Sequence, residues 1–193
     1  MGFIENIITV WKRNNSLLCV GLDTDLKKIP DHIRHKNNPV FEFNRIIIDS
    51  TQDLACAYKP QIAYYSAIRA ENELEMTIDY IHENYPGIPV ILDAKRGDIG
   101  ATARMYAIEA FDRYKADAVT INPYLGADAM EPFLERADKG IIILCRTSNP
   151  GAADIQDQEI RGEKLYRIIA KKALSDWNHN RNVSLVVGAT YPN

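Results

Sequence analysis

Four charged side chains stand within six positions of the stretch VILDAKRGDIGATA, residues 90–103: Asp93, Lys95, Arg96 and Asp98. The stretch opens as an apolar strand. Charges that dense at a strand end cost desolvation free energy unless they pair or act on something. Strand side chains alternate, so Asp93 and Lys95 are expected to point the same way. Lys59, near the end of the run ACAYKP, is placed to reach the same space, and Asp98 sits on the loop into the next helix. The expectation is an alternating array of Lys, Asp, Lys, Asp in which each ammonium has carboxylate neighbours that favour its charged form. A lysine held charged is a poor Schiff-base former but a good proton donor and a fixed cation. The competing reading is a structural ion-pair network, since such networks also bring Asp and Lys together at strand ends. Arg96 reads as a solvated or packing cation. Asn122 and Ser148, taken singly, read as turn residues. Three charged strand ends in one array tilt the reading toward chemistry.

Six short apolar runs could position these residues: LLCVGLD ending at Asp23, ACAYKP around Lys59, PVILDAK, DAVTINP, GIIILCRTS and VSLVVGAT. Between them lie segments with apolar residues at helical spacing: VFEFNRIIIDSTQDL, AENELEMTIDYIHENY, ATARMYAIEAFDRY, DAMEPFLERA and GEKLYRIIAKKALSDW. Pro86, Gly87, Pro89 and Gly140 punctuate helix-to-strand links. Alternation of strand and helix implies parallel strands joined by right-handed crossovers. Asp23, Lys59, Asp93, Lys95, Asn122 and Ser148 all fall at C-terminal strand ends. In a (β/α) barrel those ends converge on one mouth, whereas an open sheet gathers only the ends at its switch point. No Gly-x-Gly-x-x-Gly or Walker pattern follows the first strand. The expected fold is an α/β protein of the (β/α)8 barrel class, in one domain over residues 1–193. About six βα units are present where eight are needed, so two are missing from the chain.

Composition narrows the function classes. The 193 residues are 46% hydrophobic and 25% charged, with a net charge of −3, ordinary for a globular protein. No part is basic enough for a nucleic-acid footprint. Cys19, Cys56 and Cys145 lie in apolar runs without metal-ligand spacing, and read as buried small hydrophobes in a reducing compartment. The N-terminal MGFIENIITVWKRNN reads neither as a signal peptide nor, with Asn6 at the sixth position, as a myristoylation site. No run reaches the roughly 18 apolar residues of a membrane span. The expected location is the cytoplasm.

LDAKRGDIGATA resembles the Asp-x-Lys-x-x-Asp signature of the orotidine 5′-phosphate decarboxylase family, in its Lys-Arg-Gly-Asp-Ile-Gly branch. CVGLD, YKPQIAYY, TINPYLG, RTSNPGA and VVGATYP resemble further family segments in the right order, over nearly the whole chain. The resemblance implies decarboxylation of orotidine 5′-monophosphate (OMP) to UMP in pyrimidine biosynthesis, without metal or cofactor. It implies that Lys95 protonates C6, that Asp93 stands beside the substrate carboxylate, and that Lys59 bridges the ribose and the Asp cluster. Asp23 resembles the residue that binds ribose hydroxyls. Ser148 resembles the one facing the pyrimidine amide, on a loop shaped by Pro150 and Gly151. Asn122 corresponds to a strand-four pocket residue. Asp98 and Thr102 resemble residues that reach the neighbouring subunit's site, so a homodimer with shared active sites is implied.

The sequence departs from the family at its end. The Pro-Gly-x-Gly-Ala-Gln-Gly-Gly segment and the phosphate-binding Arg that follow in the family do not occur here, so the chain is expected to be a fragment or a truncated relative. Such a chain, with two open sheet edges, is expected to be poorly soluble, weak in 5′-phosphate binding and inactive alone. Two readings compete: a Mg²⁺-dependent sugar-phosphate decarboxylase or synthase sharing Asp-x-Lys-x-x-Asp, and a non-catalytic partner that forms dimers through the opening motif.

Overall fold

The computed structural model of the protein describes residues 2–190. The six expected runs form six parallel strands: β1 Leu18–Leu22, β2 Ala55–Pro60, β3 Ile91–Arg96, β4 Ala118–Ile121, β5 Gly140–Arg146 and, last in the chain, β8 Val183–Val187. β1 pairs with β2, and β3, β4, β5 and β8 pair in that order, all parallel. The two groups join through the bridges Tyr58–Val90 and Gln61–Asp93 and the Tyr58 N–H to Pro89 carbonyl bond of 3.1 Å. Spatial order therefore follows chain order with no reversal. That is the progression of barrel staves rather than of a doubly wound sheet with a switch point. Tyr191 and Pro192, which close the segment VVGATYP, lie outside the described residues.

The helices form an outer layer. They are α1 Phe3–Asn14, α2 Asp31–Arg34, α3 Pro39–Thr51, α4 Ile62–Ser66, α5 Glu71–Asn84, α6 Gly100–Ile108, α7 Ala127–Leu134 and α8 Leu165–Ser175. Helix α6 loosens into a π turn over Glu109–Arg113. Burial is deepest in the middle of the arc. All four residues of β4 and five of the six in β2 are buried, whereas β1 buries only Leu22 and β8 is at best half-buried. A central stave has neighbours on both sides, and these two have one each among the described residues. Cys19, on β1, is accordingly exposed, against the expectation of three buried cysteines, while Cys56 and Cys145 are buried.

Two elements differ from the sequence reading. Residues 3–14 form an amphipathic helix that buries Phe3 and Val10 and ends at Asn15 in the left-handed conformation, φ 47°. The segment GEKLYRIIAKKALSDW does not start as a helix. Glu163–Lys164 is strand β7 of a two-stranded antiparallel hairpin with β6, Glu159–Ile160, and α8 begins at Leu165.

Helix α1 packs at the N-terminal end of β5. The Phe3 N–H donates to the Asp138 carbonyl at 3.0 Å, and the buried Phe3 ring lies against Gly140, so closely that a Cβ there would overlap it. Gly140 is thus required by contact rather than by backbone angle. Gly140→Ala is expected to destabilise the protein by about 1–3 kcal/mol, the usual cost of overpacking. Denaturant titration checks this. In a Phe3→Ala background the same change is expected to cost almost nothing.

Candidate active site

Strands β2 and β3 end side by side at the barrel mouth. Lys59 Nζ lies 3.0 Å from Asp93 Oδ2, and Lys95 Nζ lies 2.7 Å from Asp93 Oδ1. Asp93 is buried and both lysines are partly open to solvent. A buried carboxylate between two ammoniums is the arrangement in which charges in low dielectric hold one another ionised. Burial pushes the Asp93 carboxyl up, but hydrogen bonds from Lys95, Lys59 and Thr120 outweigh it and hold it below the ordinary carboxylate range. Burial acts on Lys59 in the opposite sense, and the hydrogen bond and charge of Asp93, with Asp23 adding to them, raise it above the ordinary lysine range. The cluster carries two positive charges against one buried negative charge. It is suited to stabilising an anion and giving up a proton to it.

The other sequence-predicted residues surround this core rather than join it. Asp98 is not a fourth member of the array. Its Oδ1 accepts from its own neighbour, the Ile99 N–H, at 2.8 Å. Gly97 explains the departure. The chain there passes so close to Asn122 that an added Cβ would sit 3.2 Å from the Asn122 Cβ, which carries the loop across the β4 end and away from Lys95. Thr102 is exposed on the first turn of α6, on one face with exposed Ile99 and Met105. Asp23 is exposed at the end of β1. The segment after it is anchored from below by a buried chain: Thr24 donates to Asn44, whose amide donates to Tyr65, whose hydroxyl donates to the Leu22 carbonyl.

Asn122 caps a 3-10 turn over Pro123–Leu125, its Oδ1 accepting from the Tyr124 N–H at 3.0 Å, so its turn role is real. Ser148 is exposed at the start of the β5 loop, and Pro150 opens a 3-10 turn that includes Gly151. A cavity of about 350 Å³ is lined in part by Asn122, Cys145 and Gly151 and by no residue of the Lys–Asp cluster. Arg96 takes the packing role expected for it. It forms two hydrogen bonds to Glu109 and stacks on Tyr106 at 4.5 Å.

Three further residues build the site and escape a sequence reading. Thr120, buried on β4, donates to Asp93 Oδ1 at 2.8 Å. Arg146, buried at the end of β5, forms paired 3.0 Å bonds to Asp157 and so braces both ends of the loop that carries Ser148. Gly188, after β8, lets that loop pack down, because a Cβ there would lie 3.1 Å from the Ser148 backbone. A lone Arg closing the apolar run GIIILCRTS is a usable signal. Thr120 and Gly188 give none, since both types are common in and after strands.

Comparison with known proteins bears on the family and the fold. The sequence model of the "Orotidine 5′-phosphate decarboxylase / HUMPS family" matches residues 16–193. The chain is 57% identical over 192 residues to the orotidine 5′-phosphate decarboxylase of Dechloromonas aromatica, and 56% identical to that of Ralstonia pickettii, in each case covering all of this chain and 71% of the relative. Among solved structures, the OMP decarboxylase of Leishmania donovani superposes with a TM-score of 0.87 at 37% identity, over all of this chain and 72% of that one. The UMP synthase of the same organism superposes with a TM-score of 0.86 at 38% identity, over 98% of this chain and 40% of that one. The fold is thus that of the (β/α)8 barrel, with six of its staves among the described residues, and the chain belongs to the orotidine 5′-phosphate decarboxylase / HUMPS family.

Proposed function

We propose that the protein decarboxylates OMP to UMP, in a single domain over residues 1–193, and that the Lys59–Asp93–Lys95 cluster does the chemistry. The observation that carries this reading is the buried Asp93 held between two ammoniums at the barrel mouth, in a chain of this family. Loss of CO₂ from C6 leaves a vinylic carbanion with no adjacent electron sink, so the barrier must be lowered by electrostatic stabilisation. A preorganised ammonium at C6 does this and then supplies the proton. Lys95, half-exposed and tied to Asp93, is assigned that role. Asp93, beside the substrate carboxylate, repels it in the ground state, and the repulsion ends when CO₂ departs.

Lys59 and Asp23 are assigned to the ribose hydroxyls, Ser148 to the pyrimidine amide, and Asn122, Pro150 and Gly151 to the pocket wall. Asp98, turned away from its own cluster, and Thr102 on α6 are assigned to the active site of a second copy. The exposed apolar Ile99 and Met105 flanking Thr102 support a homodimer through this face. Among the described residues no helix is long and apolar enough to cross a membrane, and the cytoplasm is the proposed location. The test is CO₂ release from OMP by the full-length protein in the presence of a chelator. Turnover that the chelator leaves unchanged is expected. Strict dependence on Mg²⁺, or no turnover by a folded full-length protein, refutes the reading.

A further inference from the structure

Asp93 and Lys95 meet, but not because a regular strand alternates. Leu92 of β3 pairs with Val119 of β4, and the next pair is Arg96 with Ile121. β3 advances four residues where β4 advances two, so Asp93, Ala94 and Lys95 form a bulge. Lys95 sits in it at φ +49°, a left-handed conformation that costs a non-glycine residue roughly 1–2 kcal/mol. A bulge also lifts backbone N–H groups out of the ladder, and a buried N–H needs an acceptor.

Thr120 is the β4 residue that the bulge passes over. Its Oγ1 accepts from the Ala94 N–H at 3.0 Å and from the Lys95 N–H at 2.9 Å, and lies 2.8 Å from Asp93 Oδ1. A hydroxyl has two acceptor positions and one proton. Both acceptor positions are taken by donors that can only donate, so the proton must point at the carboxylate. One oxygen thereby fixes the backbone of Lys95 and the carboxylate of Asp93 together. Thr120 is buried, and both acceptor positions and the proton of its hydroxyl are taken within the protein, which leaves it none for a substrate.

We propose that Thr120 is a positioning residue: its hydroxyl is the bracket that stabilises the β3 bulge and aims both the Lys95 ammonium and the Asp93 carboxylate into the site. This rests on the assignment of Lys95 as the C6 proton donor. Valine has the shape of threonine without the hydroxyl, and serine keeps the hydroxyl. With Val, two N–H groups lose their acceptor and Asp93 loses a donor, so the bulge relaxes toward regular strand and swings Lys95 out of line.

The experiment uses the full-length protein and two readouts, OMP kinetics and hydrogen exchange of the Ala94 and Lys95 amides. Thr120→Val is expected to lower kcat by about 100-fold, the order of loss that follows a 1 Å misplacement, with KM changed by less than about threefold. Thr120→Ser is expected to stay within about fivefold of the parent, as a group that keeps the same hydrogen bonds should. The two amides are expected to be protected in the parent and in Thr120→Ser, and to exchange fast in Thr120→Val. Parental kcat in Thr120→Val, continued protection of both amides in that variant, or an equal loss of kcat in a folded Thr120→Ser overturns the proposal. Should Thr120→Val not fold, Thr120→Ala against Thr120→Ser makes the same comparison. The exchange readout does not depend on the reaction. A parent inert toward OMP therefore refutes the functional reading, while loss of amide protection without the hydroxyl still supports the bracket.

Discussion

Replacing Lys95 with alanine in the full-length protein is expected to lower kcat for OMP by about 10⁴-fold or more, the combined size of a lost general acid and a lost charge-stabilising group. UMP affinity is expected to fall far less. The asymmetry follows from when the ammonium is needed. In the ground state Lys95 already has a partner, Asp93 Oδ1 at 2.7 Å, so its charge is satisfied without a ligand. Only as C6 gains negative charge does a second acceptor appear in its reach, and an interaction made only then appears in kcat. Steady-state kinetics with a separate UMP titration check this. Comparable losses in rate and in UMP affinity would show that Lys95 serves uniform binding instead.

The parts of the site differ in how far the sequence discloses them. Each strand is a short run with few polar residues, β-branched in β4, β5 and β8, set between longer segments with helical spacing, and a chain so patterned has few ways to bury both kinds of segment. The charged residue at a strand end is legible for the same reason, since Lys59 and Asp93 interrupt runs that packing alone would fill with Val or Ile. The meeting of Lys95 with Asp93 is a different case. Plain alternation predicts it, yet the strand bulges there and brings the two together through a left-handed residue. A bulge is set by which β4 residues face it, and that cross-strand partner is invisible to a pattern read along one strand. Thr120 is hidden for the same reason: in DAVTINP it looks like any β-branched strand former.

Asp98 is the opposite case. It stands three positions after Lys95, and proximity in sequence suggests one array within the chain. The close passage of Gly97 over Asn122 sends it elsewhere. The hairpin at Glu159–Lys164 escapes a sequence reading because its largely exposed residues run without a break into the amphipathic stretch of α8, and nothing in the periodicity marks where the strand stops.

The second large effect is expected at Asp93. Asp93→Asn keeps the shape and removes the charge that three donors converge on: Lys59 and Lys95 at 3.0 and 2.7 Å, and the Thr120 hydroxyl at 2.8 Å. Turnover is expected to fall by about 10²–10³-fold, the scale of losing one preorganised electrostatic contact. OMP affinity is expected to hold or rise, because the repulsion between Asp93 and the substrate carboxylate ends. The same substitution changes how stability depends on pH. The Asp93 carboxyl is depressed in the folded protein, so its contribution is present above the unfolded value of about 3.9 and is lost as pH falls through the lower folded value. Lys59 is raised, so its contribution is present below the unfolded value of about 10.4 and is lost as pH rises through the higher folded value. Without the Asp93 charge, burial is left to act on Lys59 against a much weaker attraction, and its pKa is expected to move down. Denaturant midpoints measured from acid to alkaline pH are therefore expected to lose part of their acid slope in Asp93→Asn, and the alkaline decline is expected to begin at lower pH than in the parent. An unchanged profile at both ends would mean that the three-charge cluster does not hold together in solution, and the assignment of Lys95 and Lys59 as fixed cations would fall with it.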